Sequence, residues 1–379
     1  MKRKKRAVTC SVLFSLGLVG TAAGAADIKL MTQNQYLGAD LAPVLAAADA
    51  SAFNTAVVAA LQIIAANHSS ERMRALATEI ANTQPALVGL QEVYRFQCTD
   101  LAPLPPGTGC SDPSIAGAFS DQLQTTLAAL GTSYVAAATV VNLNVPMLPF
   151  TINGVTSLLS VLDRDVILAR GNVAATPVNF SGACTKLSGD GCNFNVVATA
   201  NTPLGPISVE RGFVAVDATV DGKAYRIVNT HLELQQPDPS NPASQALQAL
   251  QAAELLQIVD ATTPIERALI VLGDMNSSPA HVSSPGIVTP YVQFVMAGFV
   301  DAWTLRPGGL VGYTCCQIED LSNHRSVLYE RIDMIFSLTP PQRVKQVRIV
   351  GATVSDKTSP PGRGLWPSDH GSVSAELQF

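Results

Sequence analysis

Apolar residues along this chain recur in two rhythms. Short unbroken apolar runs alternate with stretches in which every third or fourth residue is apolar. Ile28–Thr32 reads as a first strand that enters a polar loop at Gln33-Asn34-Gln35. Residues 39–67 are rich in alanine and helical in composition, and look like an insertion. From Glu71 to Ala81, apolar Met73, Leu76, Ala77 and Ile80 fall on one face of an amphipathic helix, with Ser69 or Ser70 as its cap and Pro85 as its stop. Ala86–Leu90 is a short apolar run of the kind that fills a buried strand, and it delivers Gln91-Glu92 at its end.

The same alternation continues. A helix is expected over Ser120–Leu130, closed by Gly131. Strands follow at Tyr134–Val141, Val166–Leu168, Phe213–Thr219 and Tyr225–Asn229. Gln245–Val259 has the spacing of a third amphipathic helix, Ala268–Leu272 that of a buried strand ending in Gly273-Asp274, and Tyr291–Ala297 that of a short helix before Gly298. Met334–Phe336, Val347–Val350 and Val373–Leu377 complete the strands. Mixed helices and strands with hairpins in the middle imply a layered α/β fold whose function sits at strand ends.

The N-terminus follows neither rhythm. Lys2, Arg3, Lys4, Lys5 and Arg6 precede an apolar run from Ala7 to Val19 and small residues ending at Ala26. This is the layout of a secretory signal peptide over residues 1–26, and the run is shorter than the roughly 20 residues a membrane span needs. A secreted or periplasmic protein is expected, with residues 27–379 as one domain and no stable membrane span. The chain holds 24 Lys+Arg and 29 Asp+Glu. Without the five N-terminal bases, 19 face 29 acids, a net charge of −10. Such a chain must grip a polyanion locally or through a bound cation. Beyond Cys10 six cysteines remain. Cys98/Cys110 and Cys184/Cys192 bracket polar loops and suit local disulfides, which leaves Cys315 and Cys316 bridged to each other or free.

Polar residues at the ends of apolar runs are the candidate chemistry: Asn34, Glu92, His231, Asp274, Asn276, Asp333, Asp369 and His370. Acids gathered in a buried place need a cation or proton to compensate them. Oxygen-rich sets suit magnesium, with calcium or manganese as alternatives, and two histidines suit acid–base work near neutral pH. Each motif alone has a bland reading: a turn at Asp274–Pro279, a core histidine at His231, a solvated charge at Asp333.

Their order is specific. A strand-end Asn is followed by Gln-Glu-Val, Asn-Thr-His-Leu, Gly-Asp-Met-Asn, Arg-Ile-Asp and Ser-Asp-His. From Ile28 to Leu377 this series resembles the endonuclease/exonuclease/phosphatase superfamily, which includes deoxyribonucleases, abasic-site endonucleases, sphingomyelinases and inositol polyphosphate 5-phosphatases. The resemblance implies a four-layer sandwich of two mixed β-sheets packed face to face, helices outside, and a metal-dependent phosphoric ester hydrolase. It makes Glu92 the principal metal ligand, Asn34 a metal- or phosphate-contacting residue and Asp369 a further metal-side acid. Asp274 and Asn276 would orient the attacking water and hold the phosphate, their i, i+2 spacing placing both on one side of an extended segment. His370 would be the general base, backed by Asp333. His231 would stabilise phosphoryl oxygens or protonate the leaving group, supported by Asp163 or Asp165.

Several substrates remain open. A phosphodiester is expected, in nucleic acid or a phospholipid head group, and no obligate protein partner is implied. For a lipid, Val145–Ile152 is the candidate apolar edge, against the more common reading of hairpin packing. An inositol-phosphate-type phosphomonoesterase would need a basic pocket, and no Lys/Arg cluster announces one. A non-catalytic binding protein on the same scaffold, or a calcium-stabilised adhesion or carbohydrate-binding domain, is the alternative of another class.

Overall fold

In the strand Leu87–Gln91, Leu87 faces one cluster of apolar side chains while Val88 and Leu90 face another. Ala268–Asp274 does the same, with Ile270 and Leu272 on one side and Leu269 and Val271 on the other. A strand buried on both faces must be apolar throughout, which is why these runs show no alternation. The computed structural model describes residues 26–235, 242–359 and 364–379, so the segment read as a signal lies outside the described residues except for Ala26.

Two mixed sheets result. The first runs Arg343–Val350, Ser372–Gln378, Asp27–Asn34, Leu87–Gln91, Val155–Arg170 and Arg95–Asp100, with Tyr134–Ile152 also paired to Val155–Arg170. The second runs Val300–Asp301, Asp333–Ser337, Ala268–Asp274, Lys223–His231, Gly212–Val220, Gly191–Asn193 and Lys186–Ser188, with Ala174–Pro177 beside Gly212–Val220. Ile28, Leu30, Leu87 and Ile167 of the first sheet meet Val214, Val216, Ile227, Ile270 and Leu272 of the second. Helices Ser69–Thr83 and Gln122–Leu130 cover the outer face of the first sheet, and Ala243–Thr262 and Pro290–Met296 that of the second. This is the expected four-layer sandwich.

A polar tie crosses the dry interface. Asn229 Nδ2 donates to the carbonyls of Leu90 and Val166 on the opposite sheet, at 2.9 and 3.1 Å, and its Oδ1 accepts from Gln91 Nε2 at 2.6 Å. Room for it comes from Gly89, where a Cβ would stand 2.5 Å from Asn229 Oδ1 and 2.1 Å from Leu272 Cδ1. The tie fixes the sheets next to the strand end that carries Glu92.

The Ala-rich insertion forms helices Ala42–Leu45 and Ala50–Ala66. The second packs Phe53, Val57 and Leu61 against Phe150 and Ile152, so the Val145–Ile152 run is the far arm of a long hairpin with a small core of its own. Met147 stays 68% exposed where the register of the hairpin shifts between Val145 and Leu148. The next helix begins at Ser69, but neither serine caps it. His68 takes the N-cap position in a left-handed conformation without a side-chain bond, so the chain's turn out of the preceding helix sets the start. No single described helix is long and apolar enough to cross a membrane. Ala50–Ala66 and Ser69–Thr83 reach that length and composition only together, bent by 48°, and both bury their apolar faces in the protein. Disulfides join Cys98 to Cys110, Cys184 to Cys192 and Cys315 to Cys316.

Candidate active site

Strand register brings the polar residues together. In the first sheet Asn34 pairs with Gln91 on the parallel neighbour, so Glu92 leaves its strand beside Asn34. In the second, His231 pairs with Asp274, and Asp274 with Asp333 on the other side, placing three of the expected residues in one row across three strands. The loop after residue 367 carries Asp369 and His370 over this row. Ser368 Oγ anchors it by donating to the Asn34 carbonyl at 2.7 Å and accepting from the His370 N–H at 3.1 Å.

Two groups of contacts define the site. On one side, Asn34 Nδ2 donates to Glu92 Oε1 at 3.2 Å and to Asp274 Oδ2 at 3.1 Å, while the Leu37 N–H donates to Glu92 Oε2 at 3.0 Å. On the other, His370 Nδ1 lies 2.8 Å from Asp333 Oδ2, and its Nε2 lies 3.9 Å from both Asp274 Oδ2 and Asp369 Oδ1. Asn34, Glu92, Asp274, Asp333, Asp369 and His370 thus lie in one connected cluster. Glu92 and Asn276 adopt φ of 53° and 46°, a region that non-glycine residues rarely enter and that is held here by the surrounding structure. This changes one expectation. Asp274 and Asn276 share a side because the chain turns, not because it is extended: the Asn276 N–H donates to Asp274 Oδ1 at 2.9 Å, and the left-handed turn returns the amide to the site.

His231 differs more from expectation. Its Nδ1 meets Arg211 Nη1 at 2.9 Å, rather than Asp163 or Asp165. A guanidinium only donates, so Nδ1 is the acceptor and the proton resides on Nε2. That nitrogen lies 3.5 Å from Asp274 Oδ2. Asn276 Nδ2, 3.2 Å away, is committed to the Leu232 carbonyl at 2.9 Å. Arg211 is in turn held by Glu233, 3.7 Å away, and by the field of Asp163. Asp163 and Asp165, on a strand of the facing sheet, therefore act on His231 through a cation.

The electrostatics separate the two histidines. Burial, and then Arg211, push His231 well below its ordinary value, so it is neutral. Burial also opposes charge on His370, but Asp333 and Asp369 outweigh it and hold His370 well above. Burial and the neighbouring Asp333 push Asp274 up to about 7. Burial, with Glu92 adding to it, pushes Asp369 up to about 6. Asp163 and Asp165 are wholly buried and are also raised, Asp165 to about 7, chiefly by burial.

Two residues that hold the site in place were not singled out in the sequence. Arg72, wholly buried, donates to the carbonyls of Asn67, Gln35, Pro367 and Tyr36 at 3.0–3.1 Å, stapling the loop after Asn34 to the loop before Ser368. Its signal was a base on the apolar face of a helix, in line with Leu76 and Glu79. Thr314 Oγ1 accepts from the Ile332 and Asp333 N–H groups, at 3.1 Å each, and its carbonyl accepts from Gly371 at 2.7 Å. Trp303 is packing, its Nε1 donating to the Leu310 carbonyl at 2.9 Å. His281 pairs with Glu330, while His68 and His324 are exposed.

Glu92 and Asp369 offer hard oxygen donors, and Asn34 would add its own only with the amide turned over, since its Oδ1 accepts from the Tyr36 N–H at 2.9 Å. The crowding of acids that raises Asp274 and Asp369 is relieved by a dication. The set therefore fits a divalent metal.

A face-to-face sandwich with acids and two histidines gathered at its strand ends defines a metal-dependent phosphoester hydrolase. Residues 53–370 match the model of the Endonuclease/Exonuclease/phosphatase family, and the chain belongs to that family. Asn34 lies upstream of the matched residues, and its place in the site rests on geometry. Among solved structures, an endonuclease/exonuclease/phosphatase family protein from Bacteroides thetaiotaomicron is 16% identical with a TM-score of 0.52, covering 94% of this chain and 98% of its own. One from Leptotrichia buccalis is 15% identical with a TM-score of 0.50, covering 93% and 100%. A humanized D. rerio TDP2 is 16% identical with a TM-score of 0.48, covering 93% and 99%. At these identities the likeness is one of fold. No curated protein matches the chain in sequence.

Proposed function

We propose that the chain is an exported phosphodiesterase that uses His370 as general base. The observation that carries this is the His370–Asp333 pair, 2.8 Å long, facing Asp274 across the row of strand ends. Asp333 fixes the tautomer with Nδ1–H and stabilises the imidazolium, and a dication held beside Asp369 would offset the carboxylates that keep His370 protonated, freeing Nε2 to take a proton from water. Asp274 and Asn276 orient that water and the phosphate. His231, held neutral with Nε2–H directed into the cluster, serves as a hydrogen-bond donor to a phosphoryl oxygen rather than as a cationic acid. Glu92, Asp369 and Asn34 would hold the divalent ion, with magnesium the first choice. When bound, it neutralises charge on the phosphoryl group and the leaving oxygen.

A cavity of about 720 Å³ is the candidate pocket for an organic substituent of the phosphate. Its wall begins at Ser278, two residues beyond Asn276, and includes Trp303, Leu310, Val311, Tyr313 and Tyr329. Arg306 lies over Trp303, and Arg331 is paired with buried Asp301, so the lining suits an organic substituent on the phosphate better than a second phosphate. Nucleic acid and phospholipid head groups both offer such a diester. Export is supported by the basic and apolar N-terminal pattern and by the three disulfides.

The test is a substrate panel on the purified mature protein: plasmid DNA, RNA, sphingomyelin, phosphatidylinositol phosphates and a bis-aryl phosphodiester, with Mg²⁺ and with EDTA. His370→Ala is expected to lower kcat by at least about 10²-fold on the preferred substrate. Near-normal turnover in that variant would sink the assignment. Activity on none of the substrates would favour the non-catalytic alternative.

A further inference from the structure

Cys315 and Cys316 lie against the catalytic loop, where the family's chemistry has no use for sulfur. Their Sγ atoms and a ring nitrogen of His370 all fall within 4.8 Å of one another. The backbone around them is tied to the site on both sides. Thr314 bonds Asp333 and Gly371, and the Gln317 N–H donates to the Asp369 carbonyl at 2.8 Å. Cys315 is buried, while Cys316 is partly exposed and open to a reductant. As a disulfide the pair offers no thiolate. As a dithiol it offers two thiolates beside an imidazole, a set that selects zinc, cadmium and similar soft dications over magnesium.

We propose that reduction of the Cys315–Cys316 disulfide creates a soft-metal site from Cys315, Cys316 and His370, and that filling it withdraws His370 from catalysis. This second clause rests on the reading of His370 as the base. The chemistry balances. A phosphine reductant gives two electrons to the S–S bond and takes the oxygen of a water molecule, whose two protons end on the sulfurs. On binding, each thiol releases its proton, and two thiolates and one imidazole hold the dication with a fourth position left for water. A metal on Nε2 of His370 would take the nitrogen that accepts the catalytic proton, and one on Nδ1 would displace Asp333, so either mode disables the base.

The experiment uses the full mature chain, oxidised or phosphine-treated and then freed of reductant, titrated with Cd²⁺. Cys315→Ser/Cys316→Ser and the single Cys316→Ser variant keep the other two disulfides and control for their reduction. Expected are one equivalent of Cd²⁺ bound by the reduced wild type beyond what the reduced variants bind, a correspondingly larger thiolate-to-cadmium ultraviolet band, and at least about 10²-fold loss of Mg²⁺-supported turnover. Chelation of the cadmium should reverse that loss. No band beyond that of the variants would overturn the site. A band with turnover intact would overturn the withdrawal of His370, as would a loss shared equally by the variants. Failure of the base assignment itself shows separately, in the turnover of His370→Ala without cadmium.

Discussion

His231 and His370 share one cluster and are driven in opposite directions, one by burial and a guanidinium, the other by carboxylates that outweigh burial. Pairs pushed apart in this way divide roles between them. Arg211→Gln removes the donor that selects the Nε2–H form of His231. Turnover should fall between about 10- and 10³-fold, mainly in kcat, as a misdirected hydrogen bond predicts. Nitrogen chemical shifts of His231 should move from one neutral tautomer toward a mixture, and unchanged shifts would refute the assignment. The acids make a second prediction. Asp369 and Asp274, raised to about 6 and about 7, hold protons in the folded state that the unfolded chain has already lost. Without metal their contribution to stability therefore declines as pH rises from the ordinary carboxylate range to those values. A divalent ion must displace the same protons, so the rise in Tm on replacing EDTA with Mg²⁺ should be larger at about pH 8 than at about pH 5. Equal shifts would show that these acids do not meet the ion.

At the scale of elements, the site depends on loops held by donors from elsewhere. Arg72 belongs to the helix Ser69–Thr83, yet its four bonds end on the loop after the first strand, the turn before its own helix and the segment before Ser368. Arg72→Leu keeps volume but leaves those carbonyls unpaired, and should cost about 3 kcal/mol or more in urea unfolding, with loss of activity below the transition. A native-like midpoint would deny the staple. The strand-end residues were legible in the sequence because an apolar run and the polar residue ending it are neighbours in the chain. Arg72, Thr314 and the Arg211–His231 contact were not, because their partners are set by packing between distant elements. Arg72 to Pro367 spans most of the chain, and nothing local marks it. The turn at Asn276 was misread for a related reason: spacing fixes which residues are near, but the left-handed φ that aims the side chain is imposed by what surrounds it.

For the molecule as a whole, the two sheets are equal partners in the site. The first supplies Asn34 and Glu92, the second His231, Asp274 and Asp333, and Asn229 locks the sheets together beneath them. Chemistry built across a sheet interface exists only once both sheets are complete. Closing the first sheet requires Asp27–Asn34 to lie between Leu87–Gln91 and Ser372–Gln378, with Ala26 and Phe379 exchanging backbone bonds at 3.2 and 3.0 Å. Residues separated by 351 positions are therefore direct neighbours in one sheet, as Asp27 and Gln378 are. Contacts so far apart in sequence form slowly. A chain lacking residues 372–379 should accordingly remain protease-sensitive in full, rather than lose only its C-terminal segment.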